Sequence, residues 1–185
     1  MHRTLYTRTT LLLALLVVYF AGVYSGSVWY HYVPWHLCIT RAIAVIQPTQ
    51  GNSTAGTVTF TQGQDGVHVS VTCHNLTPGK HGFHIHEHGD CSCSNGMCTG
   101  DHFNPTHTRH GGPDSSERHV GDFGNLEADT SGTARLEFVD THISLNGPHT
   151  IIGRAIIIHA DPDDLTSQPS GNAGARIGCG VIGIK

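Results

Sequence analysis

The stretch HGFHIHEHGD, residues 81–90, contains four histidines in ten residues. Alternate side chains of a β-strand point to the same face. A strand over 81–88 would therefore present His84 and His86 together, and His88 as well if the strand extended that far. Imidazole is the commonest nitrogen ligand of zinc and copper in proteins. The stretch predicts half of a metal site, and a solvated histidine-rich loop is the alternative.

The composition of the 185-residue chain is typical of one globular domain. Hydrophobic residues make up 38% and charged residues 13%, which argues against a disordered chain, and the 23 glycines suggest the many turns of an all-β fold. All fourteen acidic residues lie beyond position 60, so the chain without Arg3 and Arg8 has eight basic residues and a charge of about −6. No basic stripe is available to neutralise phosphates, so we expect no nucleic-acid partner.

Residues 1–39 are predicted to be a targeting segment and short linker in front of a domain at 40–185. The apolar run at 11–24 follows arginines and suits the apolar region of a signal peptide, about 7–15 residues long. It is shorter than the ~20 residues of a comfortable membrane span. Aromatic residues typical of a membrane interface follow it, so an uncleaved signal anchor is the alternative. Both interpretations place the domain outside the cytosol, either secreted or tethered to the membrane.

In such a compartment the six cysteines are disulfide candidates, and spacing alone does not determine how six cysteines pair. The same location makes two sequons candidate N-glycosylation sites, at Asn52 and Asn75. Pro78 follows the second sequon and makes it the weaker of the two.

Short alternating segments separated by turn residues predict an all-β domain. Strands are expected at 41–47, 57–62, 67–73, 81–88, 134–140, 150–160 and in the C-terminal GCGVIGIK, and the GQDG at 63–66 suits a hairpin. No stretch has a convincing helical period, which favours a β-sandwich or barrel.

Residues 88–125 lack hydrophobic periodicity, and loops of this length are uncommon in compact domains unless they are functional or disordered. The segment is rich in nitrogen and oxygen donors. We expect a second ligand set that the metal itself helps to fold, with a disordered histidine-rich loop as the alternative. The donors are His102, His107, His110, His119 and Asp122.

Five segments, in order along the chain, resemble the copper/zinc superoxide dismutase family. They are GFHIHEHGD, DHFNP, HGGPDSSERHVGDFGN, IIGRAIIIHADPDDL and GNAGARIGCGVIGIK, and the resemblance covers residues 40–185. It implies a Greek-key β-sandwich or flattened barrel of about eight antiparallel strands, and the family is itself a standard example of the sandwich architecture. It also implies dismutation of superoxide to oxygen and hydrogen peroxide, with copper and zinc ions as the cofactors and no organic cofactor.

The resemblance assigns the metal ligands segment by segment. Four nitrogens would suit the tetragonal preference of Cu(II), and three nitrogens with one carboxylate would suit a closed tetrahedral zinc site. One histidine, His102, would bridge the two ions as an imidazolate. The implied copper ligands are His84, His86, His102 and His159, and the implied zinc ligands are His102, His110, His119 and Asp122.

Two further residues carry implied roles. Asp163 matches the family carboxylate that ties His84 to His110, and such carboxylates fix the orientation of metal-binding imidazoles. Arg176 matches the arginine beside the copper channel, where its guanidinium would supply a fixed positive charge for an anionic substrate. The resemblance therefore makes Arg176 and His102 the catalytic groups.

The chain departs from the family pattern in three places. The family disulfide would join Cys179 to a loop cysteine; Cys98, in NGMC, most resembles that loop segment, with Cys91 and Cys93 as the other candidates. Only TSQPS separates Leu165 from GNAG, a shorter charged loop than in the family, so attraction of superoxide would depend more heavily on Arg176. The third departure, His88, stands near the family's dimer contact in place of a large apolar residue. The resemblance implies a homodimer, and His88 argues against the usual dimer contact.

Two alternative functions fit the same residues. A non-catalytic copper-binding or carrier module is the first, although carriers on this fold generally lose copper ligands and this chain retains all four and Arg176. A zinc-free copper enzyme is disfavoured, because all the implied zinc ligands are present. The remaining histidines are interpreted as surface or second-layer residues: His68, His74, His81, His107, His142 and His149.

Overall fold

The computed structural model describes residues 38–185. The targeting segment predicted at 1–39, except for its last two residues, lies outside these described residues. Within residues 38–185, no helix is long and apolar enough to cross a membrane.

Eight antiparallel strands form a closed barrel in the order β1-β2-β3-β6-β5-β4-β7-β8. The chain crosses over between β3 and β4 and between β6 and β7, as in a Greek key, and the prediction of an eight-stranded, antiparallel all-β fold is confirmed. The strands are β1 Arg41–Pro48, β2 Ala55–Gln62, β3 Val67–His74, β4 Gly79–His86, β5 Asp122–Ala128, β6 Ala134–Asp140, β7 Ala155–His159 and β8 Arg176–Ile184.

Strands β1 to β3 are buried on one face only, as their alternating sequences predict. Val67, Val69 and Val71 of β3 are fully buried in the barrel core, while the residues between them are exposed or half-buried. Burial of each such aliphatic side chain contributes about 1.5–3 kcal/mol relative to an exposed position.

Strands β4 and β7 are buried on both faces. Phe83 and Ile85 of β4 belong to the barrel core, so the intervening His84 and His86 point outward, away from the core. Both histidines are nevertheless at most 1% exposed. The outer face of the β4–β7 pair therefore provides a buried platform for polar side chains.

Strands β5 and β6 pair only at Ala128↔Ala134, so their other ends separate. A buried ion pair connects the separated ends. Arg118 Nη2 donates to Asp140 Oδ2 at the end of β6 (2.5 Å), and Arg118 Nη1 donates to the Asp122 carbonyl at the start of β5 (3.0 Å). This arginine thereby fixes the point at which the long loop between β4 and β5 enters β5.

Three strand predictions need correction. Strand β4 ends at His86, so His88 does not share its face. Strand β5 lies partly within 88–125, because Gly124, with φ of 75°, and a register shift between β4 and β5 interrupt the alternation that sequence analysis detects. Strand β7 begins only at Ala155, after a turn in which Gly153 has φ of 79°, rather than at residue 150.

The predicted Cys98–Cys179 disulfide is wrong. Cys91 packs against the small buried cluster around Cys179 on the outer face of β7 and β8, and these two cysteines are bonded, with Cα atoms 5.9 Å apart. Cys98 lies instead in a 3₁₀ turn, Met97–Thr99, where it pairs with Cys93. The resemblance of NGMC to the family segment gives no indication of this turn.

The Cys91–Cys179 bridge spans 88 residues of sequence. Closing a loop of that length corresponds to about 4–5 kcal/mol of unfolding free energy in the chain-entropy account. Among the described residues Cys38 and Cys73 are free thiols. Burial raises the pKa of Cys73 to about 12, so this thiol is unreactive.

Candidate metal centre

Two buried clusters of metal-binding side chains share one residue, His102. The ligand atoms within each cluster lie within 4.8 Å of one another, and every contributing residue is buried. The first cluster consists of His84, His86, His102 and His159, and the second of His102, His110, His119 and Asp122.

The first cluster combines both outward-facing histidines of β4 with the last residue of β7. Strands β4 and β7 are hydrogen-bonded neighbours, so His84, His86 and His159 rise from one rigid surface. His102 comes from the long loop and is attached to this surface by an isolated bridge to His86. The rings of His84 and His102 are 4.0 Å apart between centroids.

The second cluster surrounds the carboxylate of Asp122, the first residue of β5. Asp122 Oδ1 lies 2.7 Å from His102 Nδ1, and Asp122 Oδ2 lies 2.9 Å from His110 Nδ1. The backbone amides of Gly111 and His119 donate to Oδ2 and hold the carboxylate in place. The long loop and the first residue of β5 thus present three imidazoles and one carboxylate to a common point.

The hydrogen bonding of the histidine rings tests whether these clusters suit metal ions. Among the described residues, seven buried side-chain nitrogen or oxygen atoms have no hydrogen-bond partner, and six of them are cluster imidazole nitrogens. His110 Nδ1 is close to Asp122 but lacks hydrogen-bond geometry, so its distance alone does not satisfy it. The six are His84 Nδ1, His86 Nε2, His102 Nε2, His110 Nδ1, His119 Nδ1 and His159 Nε2.

In five of these six rings the opposite nitrogen has a hydrogen-bond partner. His86 Nδ1 donates to the Gly100 carbonyl (2.9 Å), and His159 Nδ1 donates to the Gly174 carbonyl (3.1 Å). Each such bond fixes the tautomer and leaves the lone pair on the nitrogen that faces the cluster. Buried polar atoms are rarely left unsatisfied in native proteins, so this pattern fits bound cations.

The charge states of the first cluster favour metal binding. Burial lowers the pKa of His159 to about 3. Burial also lowers the pKa of His84 to about 4, although the hydrogen bond to Asp163 opposes it. Burial likewise keeps the pKa of His86 well below its usual value. These imidazoles are neutral at pH 7, so a metal ion displaces no proton from them.

The second cluster concentrates negative charge. Burial acts to raise the pKa of Asp122, but the contacts with His102, His110 and His119 outweigh it and hold that pKa well below its usual range. Burial acts to lower the pKa of His110, but Asp122 and Asp163 raise it to about 9. The carboxylates therefore stabilise a positive charge at this point, as a divalent cation would provide.

Asp163 connects the two clusters from behind. Its Oδ2 accepts from His84 Nε2 (2.8 Å) and its Oδ1 accepts from His110 Nε2 (3.0 Å). Asn125 of β5 holds the Asp163 backbone through two hydrogen bonds. Gly171, with φ of 67°, passes so close that a Cβ there would overlap both the carboxylate and the His110 ring.

His81, predicted to be a surface or second-layer residue, is buried behind the first cluster. His81 Nδ1 lies 2.8 Å from the His159 carbonyl and Nε2 lies 2.8 Å from the Thr77 carbonyl. His81 shares strand parity with Phe83 and Ile85, so it faces inward, and an inward-facing imidazole requires such partners. The alternation of side chains along β4 is therefore the sequence signal that indicates an inward-facing His81. His88, in contrast, has a side chain 65% exposed.

A cavity of about 420 Å³ opens onto the first cluster, with His86, His102 and His159 in its lining. Arg176 is the one arginine or lysine among the described residues that line it, and Glu87 and Asp101 add negative charge. A larger cavity of about 570 Å³, beside Arg118 and β6, has no cluster residue in its lining. The ligand geometry, and not cavity size, therefore identifies the functional site.

Comparison with known proteins agrees with this geometry. The family model described as copper/zinc superoxide dismutase (SODC) matches residues 54–182, which include both clusters. The chain is 46% identical over 157 residues to Superoxide dismutase [Cu-Zn] of Onchocerca volvulus, covering 78% of this chain and 96% of that protein. It is also 46% identical over 153 residues to Superoxide dismutase [Cu-Zn] 3 of Arabidopsis thaliana, covering 78% and 91%. The crystal structure of the clock protein EA4 matches with a TM-score of 0.74 at 48% identity, covering 80% of this chain and 96% of that chain.

The position of Asp163 generates a test of metal affinity. A carboxylate accepts from both His84 and His110, whereas the carboxamide of Asp163→Asn has one acceptor oxygen. We expect Asp163→Asn to weaken binding of Zn²⁺ or Cu²⁺ by about 10- to 100-fold, measured by titration of the metal-free protein against a chromophoric chelator.

The adjacent Asp164 is exposed and contacts no histidine, so Asp164→Asn is the matched control and should leave both affinities within about 2-fold of the parent. Equal affinities for the parent and Asp163→Asn would contradict an orienting role for Asp163.

Proposed function

The chain belongs to the copper/zinc superoxide dismutase family, and from this premise we propose that its domain converts superoxide to oxygen and hydrogen peroxide outside the cytosol. One observation carries the proposal: two ligand clusters share His102, and six buried nitrogens without hydrogen-bond partners face them. The cavity that opens onto the first cluster gives a small anion access to it.

The chemistry of the donors supports assigning copper to the first cluster and zinc to the second. Four imidazole nitrogens suit Cu(II), and three imidazoles with a carboxylate suit zinc. Bound copper supplies the one-electron chemistry of the reaction, and bound zinc has a structural role. We further propose that His102, the residue common to both clusters, would serve as a ligand of both ions, as an imidazolate.

The chain's own groups would guide the substrate and the protons. Two superoxide anions and two protons give one oxygen and one hydrogen peroxide, so each turnover requires both an anion site and a proton source. Arg176 would attract and orient the anion by charge and directed N–H groups. His102 Nε2 would hold a proton between the two half-reactions and transfer it to the reduced product.

A non-catalytic copper carrier is the second candidate, and no feature of the described residues favours it. A carrier needs a site from which copper can leave. Here the residues of the first cluster are at most 5% exposed, and three of them lie on two paired strands. The cluster also shares a residue with the second cluster. Such a rigid site suits retention of the ion.

Metal content and activity provide the direct test. The purified domain should hold one copper and one zinc and accelerate superoxide decay, measured by metal analysis and by pulse radiolysis. We expect His119→Ala to lose zinc and to retain some copper, because His119 belongs only to the second cluster.

His74→Ala, an exposed histidine on β3, should resemble the parent in both measurements. Parent protein that binds copper alone when zinc is supplied would contradict the zinc assignment. A fully loaded domain without activity would favour the carrier.

Arg176 generates a second test. Because no other arginine or lysine among the described residues lines the cavity, Arg176→Glu should lower the superoxide rate constant by at least ~10-fold while copper content stays unchanged. The parent rate should fall as salt is added, since salt screens charge–anion attraction.

Arg135→Glu makes the same change in charge on the exposed face of β6, outside the cavity, and is the control. A parent rate that does not respond to ionic strength would argue against electrostatic attraction by Arg176.

We also propose that the domain is translocated, with the signal peptide removed or retained as an anchor. The two disulfides, Cys91–Cys179 and Cys93–Cys98, support an oxidising compartment, where disulfides persist. The sequon residues Asn52 and Asn75 are both exposed, as glycosylation requires. Asn52 is the preferred acceptor, because Pro78 disfavours the second sequon.

Expression of residues 1–185 in a cell line with a secretory pathway tests this location. We expect protein in the medium, with both disulfides and an N-linked glycan that Asn52→Gln removes, measured by mass spectrometry before and after glycosidase treatment. Protein on the outer cell surface would support the retained anchor. Unglycosylated protein in the cytosol with reduced cysteines would contradict translocation.

A further inference from the structure

The second disulfide, Cys93–Cys98, closes a six-residue ring in the loop before His102. Gly96 is within this ring and has φ of 72°, and its amide donates to the Cys93 carbonyl (2.9 Å). The ring is also attached to the turn after β1, because the Gln50 amide donates to the Ser94 carbonyl (2.7 Å). The path of the ring is therefore fixed by covalent and backbone bonds.

The ring holds the guanidinium of Arg176. Arg176 Nη1 donates to the Gly96 carbonyl (3.0 Å) and to the hydroxyl of Thr99 (2.8 Å). Thr99 immediately follows Cys98, is fully buried, and donates its own hydroxyl proton to the Gly96 carbonyl (2.9 Å). Gly96, Thr99 and Arg176 thus form a closed hydrogen-bonded group.

The backbone of Arg176 is held as well. Thr49 Oγ1 donates to the Arg176 carbonyl (2.7 Å), and Arg176 is paired with His159 across β7 and β8. The backbone is therefore fixed on β8, while the long side chain reaches the cavity. Among residues 38–185, the hydrogen bonds to its far end come from Gly96 of the ring and from Thr99.

Resting on the proposed function, we propose that Thr99 and the Cys93–Cys98 disulfide are positioning residues, which hold the Arg176 guanidinium beside the cavity. Thr99 accepts from Nη1, and the disulfide keeps Thr99 and the Gly96 carbonyl at the required separation. An arginine side chain has many rotamers, so a fixed charge at this place requires such a clamp.

Labelling of Arg176 by phenylglyoxal tests the clamp independently of activity. The metal-loaded parent and variants are treated with the reagent, and adducts at Arg176 and at exposed Arg135 are quantified by peptide mass mapping. Arg135 is the internal reference. We expect Thr99→Val, which retains shape but lacks the acceptor, to label Arg176 about 3- to 10-fold faster than the parent.

Three further variants test the hydroxyl and the disulfide separately and supply a control. Thr99→Ser retains a hydroxyl and should label at the parent rate, and Thr57→Val, on the exposed face of β2, is the matched control. The double variant Cys93→Ser/Cys98→Ser should label Arg176 faster while Cys91–Cys179 remains intact. Superoxide rate constants should fall by about 3- to 10-fold in Thr99→Val and in the double variant, with parent copper content.

The outcomes separate this inference from the proposed function. Parent-like labelling of Arg176 in both Thr99→Val and the double variant would overturn the inference, even with an active parent. Equally fast labelling of Thr99→Ser and Thr99→Val would overturn the role of the hydroxyl. A lower unfolding temperature with unchanged labelling would assign the disulfide to stability alone. An inactive, fully loaded parent would contradict the proposed function, and labelling would still decide the clamp.

Discussion

The constraint on which the rest of this structure depends is that imidazole nitrogens are buried with their lone pairs directed at two points. A buried nitrogen without a hydrogen-bond partner lowers the folding stability by about 1–3 kcal/mol. Metal binding offsets this cost only if each ring is already oriented toward the metal position. The rings are oriented by hydrogen bonds from the nitrogens that face away from the clusters. Asp163 accepts from both His84 and His110, while backbone carbonyls accept from His86 and His159. The ligand lone pairs are consequently fixed by hydrogen bonds that lie outside the metal centre.

The barrel satisfies this constraint through the unusual burial of β4 and β7. Most strands bury one face, but these two adjacent strands also bury their outer face, and that face carries His84, His86 and His159. The loop between β4 and β5 supplies His102, His110 and His119, and it needs attachment because it contains only one short 3₁₀ turn among its described residues. The Cys91–Cys179 bridge attaches it to β8, and Arg118 attaches its far end to β6 through Asp140.

The sequence predicts the parts of this arrangement that have a local signal. Strand alternation indicates most of the barrel, and the resemblance of five segments to a known family indicates every cluster residue. Strand β5 was missed because Gly124 and the register shift beside His84 remove the alternation. The disulfide prediction was wrong because pairing depends on the three-dimensional path of residues 91–98, in which Cys98 turns back toward Cys93. The position of His81 could have been inferred from its parity with Phe83, although its partners, the carbonyls of Thr77 and His159, are set by tertiary structure.

If Arg176 guides the substrate as proposed, electrostatics explains why its position matters. The cavity lining combines Arg176 with the acidic Glu87 and Asp101, and the sequence beyond the first ten residues carries about six more negative than positive charges. We expect an approaching anion to be repelled by these acidic groups and attracted by the guanidinium. Burial lowers the pKa of Arg176, with Asp101 opposing the shift, but an arginine stays charged at physiological pH. A half-buried charge is screened less than an exposed one, and its interaction energy with an anion varies inversely with the distance between them. When a few lysines surround a channel, the displacement of one side chain is averaged over the others. When one guanidinium provides the field, its displacement changes the field directly. Hydrogen bonds that hold the guanidinium in place therefore affect how strongly the anion is attracted. The Gly96 carbonyl and the Thr99 hydroxyl accept the hydrogen bonds that hold the Arg176 guanidinium in this way.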